Sequence, residues 1–260
     1  MSLAYESLRQ VTALAGVVLA DNPSAMTLDG TNTWLLRSEP ERRQAVVVDP
    51  GPDDEAHLRT VLEAAGSVPL ILLTHGHADH SEGAYRLHEL TGAPVLALDP
   101  AHRYGSEGLG EGAVLEAAGV RIEVWATPGH TADSLSFVLA DGESAAVLTG
   151  DTILGRGSTV VAHPDGVLGD YLASLQRLAT LDGVTVLPGH GPELPDAGAA
   201  ARGYLAHREQ RLAQVRQALA DGGMELSPQE VVRRVYADVD PALWPAAELS
   251  VRAQLAYLKR

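Results

Sequence analysis

Leu70-Ile71-Leu72-Leu73, followed by Thr74-His75-Gly76-His77-Ala78-Asp79-His80, decides how this chain is read: an apolar run of strand length ends in four metal-binding side chains within six positions. Neutral imidazole and carboxylate are borderline-to-hard donors that suit zinc, iron or manganese. Three histidines beside an aspartate on one turn have little structural purpose without a cation. A chance cluster of loop histidines would bring no further ligands downstream, and a structural zinc site closes on four.

Working outward, three more segments share the design. Val124-Trp125-Ala126-Thr127-Pro128-Gly129 leads to His130, Ala146-Val147-Leu148-Thr149-Gly150 leads to Asp151, and Val184-Thr185-Val186-Leu187-Pro188-Gly189 leads to His190. Each is an apolar strand that ends in small or rigid residues and then presents a ligand. Glycine lets the backbone crowd against a metal cluster, and proline fixes the approach. The four strand ends supply five histidines and two aspartates: His75, His77, Asp79, His80, His130, Asp151 and His190. That is enough for two ions. His130 or His190 alone would be an ordinary loop histidine, and Asp151 alone a cap for the segment after it. Asp49 follows Val46-Val47-Val48 and has the competing reading of a turn residue before Pro50-Gly51.

Short apolar, β-branched runs at 11–19, 31–36, 45–48, 70–73, 95–98, 120–124, 135–139, 145–148 and 184–187 read as strands. Leu58, Val61, Leu62 and Ala65 form a helical stripe closed by Gly66, and Tyr171, Leu172, Leu175 and Leu178 form another, destined for the core. Strands with helices between them imply two sheets packed face to face and covered outside by helices. From about Ala199 the pattern is helix alone. Leu205, Leu212, Val215 and Leu219 share a face, Gly222-Gly223 stops it, Ser227-Pro228-Gln229-Glu230 has the form of a capping box, and a third helix begins near Pro245. The expected division is a catalytic body over 1–198 and a helical module over 199–260.

With 45% hydrophobic and 20% charged residues, the chain is globular and large enough for a real core. It has no cysteine, which excludes disulfides, thiolate ligands and cysteine nucleophiles. No window approaches the roughly 20 apolar residues of a membrane span. The run 11–20 does not read as a signal peptide, since Glu6 precedes it and Arg9 is the nearby positive charge, so cytoplasmic residence is the default expectation. The formal charge of -15 is uneven. From Gly198 onward nine Arg and Lys face seven Asp and Glu, near +2, which leaves the preceding body near -17. Such a body repels a phosphate backbone except where bound metal reverses the local field.

In order, Asp49, His75 to His80, His130, Asp151 and His190 resemble the five motifs of the metallo-β-lactamase fold superfamily. The resemblance implies an α/β fold, an αββα four-layer sandwich. It also implies that His75, His77 and His130 hold one ion, Asp79, His80 and His190 the second, and Asp151 bridges them, with Asp49 supporting the ligands from behind. The implied cofactor is a pair of zinc ions, and iron or manganese suits the same donors. Two ions about 3.5–4 Å apart share a hydroxide, because metal binding lowers the pKa of water from 15.7 to about 7. Asp79 would orient that nucleophile and relay its proton, as the catalytic residue. The main class B lactamases use a cysteine ligand that this chain lacks, and another lactamase type lacks the bridging aspartate that it has, so antibiotic hydrolysis is not the expected task. Flavodiiron oxygen reductases carry glutamate where His77 stands, whereas glyoxalase II keeps the same seven ligand types.

A second resemblance spans nearly the whole chain. Asn22-Pro23, Met26-Thr27-Leu28, Gly30-Thr31-Asn32-Thr33-Trp34, Gly157-Ser158-Thr159-Val160, Pro188 to Pro192 and Tyr204 to Arg208 are similar to lactamase-β-like protein 2 and its bacterial relatives. That group implies a terminal winged-helix-like module. It includes a mitochondrial single-strand-selective endoribonuclease as well as hydrolases of carrier-bound polyketide thioesters. The last helix ends at Arg260 without the β-hairpin wing that completes a nucleic-acid grip. With the acidic body, this favours a small-molecule ester or thioester as substrate. The competing readings are a metal-dependent endoribonuclease on single-stranded RNA and a metal-stabilised binding protein without catalysis. Oligomeric state has no signature in the sequence.

The remaining polar residues receive plain readings. His57 and His88 fall in helices and are expected in solvent, His163 on the surface, with His102 and His207 unassigned. Arg202, Arg208, Arg211 and Arg216, interleaved with Glu209, read as a solvated helix face. The loops over 22–33 and 156–167 are placed to line the cleft.

Overall fold

Val46-Val47-Val48 sets the pattern of the body. Successive side chains of a strand take opposite faces, and here Val46 and Val48 enter one buried cluster while Val47 enters another. The computed structural model describes residues 4–139, 145–222 and 226–259. One sheet runs in chain order through β1 (Leu8–Gln10), β2 (Ala15–Leu19), β3 (Asn32–Leu36), β4 (Val46–Val48), β5 (Ile71–Leu72) and β6 (Val95–Leu96). The other is ordered β11 (Thr185–Pro188), β10 (Ala146–Gly150), β9 (Leu135–Leu139), β8 (Val120–Ala126) and β7 (Val114–Ala117). Trp34, Leu36, Val48 and Leu72 from the first sheet meet Ile122, Val124, Phe137 and Leu148 from the second, and form the dry layer between them.

The outer faces carry the helices. Val47 and Ile71 pack on Leu58 and Val61 of α1 (Glu55–Ala65) and Leu87 of α2 (Ala78–Thr91). Val138, Val147 and Val186 pack on Tyr171 and Leu175 of α3 (Leu168–Leu178) and on Ala201 and Leu212 of α4 (Ala197–Gly222). The four layers are those expected, and Gly66 caps α1 as its position implied, with φ 76.

Two strands depart from the sequence reading. The run 11–19 is not one strand: the Thr12 hydroxyl accepts the amide of Ala15 at 3.1 Å and turns the chain, so β1 and β2 form an antiparallel hairpin. The β7–β8 hairpin was hidden because its turn is Ala118-Gly119, both at positive φ (49° and 75°), where Asn-Gly is the usual signal. His57 also corrects its expectation. It is buried, with Nε2 on the Thr33 hydroxyl at 2.9 Å and Nδ1 on Glu6 at 2.9 Å, tying α1 to β3 behind the site. His88 is half-buried and its Nδ1 donates to the Ala93 carbonyl at 2.7 Å.

The long α4 serves two cores: its first half packs on α3, while Val215 and Ala218 join Val231, Val235 and Val251 of α5 (Pro228–Val235) and α6 (Trp244–Leu258). Gly223, expected to help stop α4, and Arg260 lie outside the described residues. The capping box is present as read: Ser227 Oγ accepts the Glu230 amide and Glu230 accepts the Ser227 amide at 2.8 Å. Ser227→Ala is expected to cost about 1 kcal/mol, read as a lower urea midpoint at unchanged slope. Among the described residues, no helix is long and apolar enough to cross a membrane.

Candidate metal centre

β4 and β5 are parallel, and so are β10 and β11, so within each sheet the carboxyl ends of these strands reach the same edge. Asp49 follows β4, His75 follows β5, Asp151 follows β10 and His190 follows β11; His130 comes from the turn between β8 and β9. Hydrogen bonds between the sheets hold this edge together. The Leu135 amide donates to the Thr74 carbonyl at 2.7 Å, and the Trp34 indole and Asn32 side-chain amide both donate to the Pro188 carbonyl at 3.0 Å. Asn32 and Trp34 thus position the His190 segment. Sequence reading noted them only as part of a motif, since nothing in the residue types announces a carbonyl 154 or 156 residues away.

All seven candidate ligands converge. His75 Nε2 lies 3.1 Å from His77 Nδ1, which lies 3.0 Å from His130 Nε2. On the other side, His190 Nε2 is 3.2 Å from His80 Nε2 and 3.1 Å from Asp79 Oδ2. Asp151 spans the two groups: Oδ1 is 3.5 Å from both His80 and His190, and Oδ2 is 3.7 Å from His130. Three sets of donor atoms each lie within 4.8 Å of one another: His75, His77 and His130; His75, His80 and Asp151; Asp79, His80 and His190.

In three of the histidines the nitrogen turned away from the cluster is already partnered. His130 Nδ1 donates to the Val160 carbonyl at 2.6 Å, His190 Nδ1 to the Gly30 carbonyl at 3.0 Å, and His80 Nδ1 to Asp49 at 2.9 Å. Those bonds fix the tautomers, so the Nε2 lone pairs of His80 and His190 point at one another and that of His130 points at His77 Nδ1. Lone pairs 3.2 Å apart repel, and so do two N–H groups. A cation between them satisfies both, since two nitrogens on one tetrahedral zinc, bound at about 2.0–2.1 Å, lie roughly 3.3–3.4 Å apart. Asp151 Oδ1 points the same way, being buried without a hydrogen-bond partner. The donor set therefore fits divalent ions. Asp49 is itself buried, and accepts the Thr74 amide at 2.8 Å and its hydroxyl at 2.7 Å besides the His80 ring.

Electrostatics agree. Burial drives His75 well below the ordinary imidazole range and holds His130 below it, so both are neutral. Burial also resists charge on His80 and His190, yet Asp151 with Asp49 lifts His80 well above its ordinary value, and Asp151 with Asp79 lifts His190. Burial opposes ionisation of Asp151 too, but His190 and His80 hold it well below the usual carboxylate range. Negative charge here demands compensation, which cations supply when the ring nitrogens are unprotonated.

Of the unassigned histidines, His102 lies beside Gly76 in the opening next to His77, and His163 lines an outer groove with Leu249 and Arg252. The basic stripe corrects its expectation in part. Arg202 and Arg216 are exposed, but Arg208 is buried, donates to the Thr159 carbonyl and stacks 5.1 Å over Tyr171. The loop residues Met26, Leu28 and Arg156 to Val160 do line a cavity beside His130 and Asp151, as placed from sequence.

Comparison with known proteins places this geometry. The Metallo-beta-lactamase superfamily model matches residues 26–190, and the Beta-lactamase associated winged helix domain model matches residues 227–260. A Beta-lactamase-like protein 2 homolog from Drosophila melanogaster is 32% identical, over 94% of this chain and 87% of its own. A beta-lactamase domain protein from Burkholderia ambifaria shares the fold with TM-score 0.81 at 23% identity, covering 100% of this chain and 89% of that one. A third, TTHA1623 in a di-iron-bound form, is 29% identical with TM-score 0.55 over 69% of this chain and 95% of its own.

Proposed function

This chain belongs to the metallo-β-lactamase superfamily, generally metal-dependent hydrolases, and from that premise we propose that it is a dinuclear zinc hydrolase of small esters or thioesters. The observation that carries the reading is Asp151, whose Oδ1 is buried without a hydrogen-bond partner and whose two oxygens face two separate groups of imidazole nitrogens. In this assignment His75, His77 and His130 hold one ion, Asp79, His80 and His190 hold the other, and Asp151 serves both. Bound ions supply Lewis acidity and acidify water at neutral pH.

The chain's own residues do the rest. Asp79 turns Oδ2 toward His190 and His80 and stays partly open to the cleft, so its carboxylate can orient water and accept its proton. Asp49 keeps the proton of His80 on Nδ1, and the Val160 and Gly30 carbonyls do the same for His130 and His190. A carbonyl substrate suits the acidic body better than a polyanion does.

Elemental analysis of the purified protein, joined to a panel of acyl esters, acyl thioesters, a lactam and single-stranded RNA, tests this. About two equivalents of zinc are expected, with turnover of esters or thioesters that is lost on chelation and little altered by salt. RNA cleavage that falls steeply with ionic strength would transfer the function to an endoribonuclease. Full metallation with no turnover at all would leave a binding protein.

A further inference from the structure

One cavity joins the metal centre to the terminal helices. It is about 280 Å³ and includes His130 and Asp151 in its walls. For scale, an apolar cavity of about 150 Å³ holds one benzene, so this one has room for a chain of several carbons or a fused ring. Three parts of the chain enclose it: Met26 and Leu28 from the loop after β2, Leu154 from the loop after β10, and Leu243 and Ala246 from the terminal module. Without that module the cavity would be an open groove.

The arginines around it each have a protein partner, although Arg208 Nε and His207 Nδ1 make no hydrogen bond of their own. Arg156 is paired with Asp29 at 2.8 Å. Arg208 is buried against Tyr171 and the Thr159 carbonyl. Arg211 stacks 4.7 Å over Tyr236, donates to the Val235 carbonyl at 2.8 Å and meets Asp238 at 3.6 Å. Burial, then Arg208 and Arg211, hold His207 below its ordinary pKa, so it adds no charge. Each of these arginines has a protein partner, and a phosphate would have to displace one. An uncharged, apolar group needs no such exchange.

We infer that this cavity is the acyl site of the proposed hydrolase and that the terminal helical module forms its far wall, which selects esters or thioesters with long or bulky apolar acyl groups. The inference rests on the hydrolase reading for catalysis, but the cavity's occupancy can be measured without turnover. Burying a methylene contributes about 0.8 kcal/mol, or roughly fourfold in affinity.

The test is calorimetric titration of the metallated protein with neutral primary amides from acetamide to decanamide, beside hydrolysis of the matching thioesters. Affinity is expected to rise about fourfold per methylene until the cavity fills, and kcat/KM to rise with it. Ala246→Phe narrows the cavity from α6, and Met26→Glu places a charge at its rim. Each is expected to weaken decanamide at least tenfold more than butyramide, and the two variants together guard against misfolding of either. Length-independent binding that neither variant alters would overturn the acyl site, while ester hydrolysis could still stand. Chain-length-dependent binding without hydrolysis would keep the site and sink the hydrolase. A single-stranded oligonucleotide that displaces decanamide, and is itself excluded by Ala246→Phe, would show that the cavity takes nucleic acid and overturn the inference.

Discussion

Asp151→Asn is expected to reduce bound metal from about two equivalents to one or fewer, and to lower kcat by more than about 100-fold, the scale set by removing one preorganised electrostatic group. Asparagine keeps the shape of the side chain, so the fold should not suffer. What changes is charge and chemistry: one oxygen becomes an amide nitrogen, which cannot serve a cation, and the anion that faces His80, His190 and His130 is gone. Asp49→Asn provides the scale. It stands one bond behind His80, and losses of such supporting groups typically weaken metal binding by 10–100-fold. Metal content by elemental analysis and kcat on whichever ester the wild type prefers should rank wild type, Asp49→Asn and Asp151→Asn in that order. A fully metallated and active Asp151→Asn protein would remove the basis for a bridged pair of ions.

The seven converging side chains were legible because each is announced locally: an apolar strand, a small or rigid residue, then a ligand. Layering was legible for a similar reason, since Val46-Val47-Val48 and its counterparts can only serve two buried faces. What escaped was set by partners distant in sequence. His57 sits on a helix where its chemistry suggests solvent, but Thr33 and Glu6 arrive from other elements to bury and bond it. Arg208 sits in a polar stretch, and only the folded chain brings the Thr159 carbonyl and the Tyr171 ring to it. Local turn chemistry failed where the residue types were atypical, as at Ala118-Gly119.

Glycine shows the same division. The sequence suggested that the glycines before the ligands allow close approach to metal. That description fits Gly189, where an added Cβ would lie 2.7 Å from both Asp151 Oδ1 and His80 Cε1. Gly129, beside His130, is tight for another reason. Its φ is +139°, and an added Cβ would lie 2.2 Å from Cα of Tyr171 and 2.4 Å from its backbone nitrogen. The His130 turn is therefore pressed against the backbone of α3, where the Ser174 hydroxyl also binds the Pro128 carbonyl at 2.7 Å. No rotamer change relieves an overlap with backbone, so α3 or the turn must move.

Gly129→Ala is expected to destabilise the protein by about 2–6 kcal/mol, combining backbone strain of about 1–3 with overpacking of about 1–3. Any molecules that fold should also bind metal less tightly, because His130 is the next residue. Gly183→Ala separates the two causes: Gly183 has φ +72° but open space around an added Cβ, so backbone strain alone remains, about 1–2 kcal/mol. Urea midpoints of the two variants, with metal content measured on each, isolate the packing contribution. Equal loss of stability in both would mean that the turn carrying His130 does not rest on α3, and that the first set of imidazoles is positioned by something else.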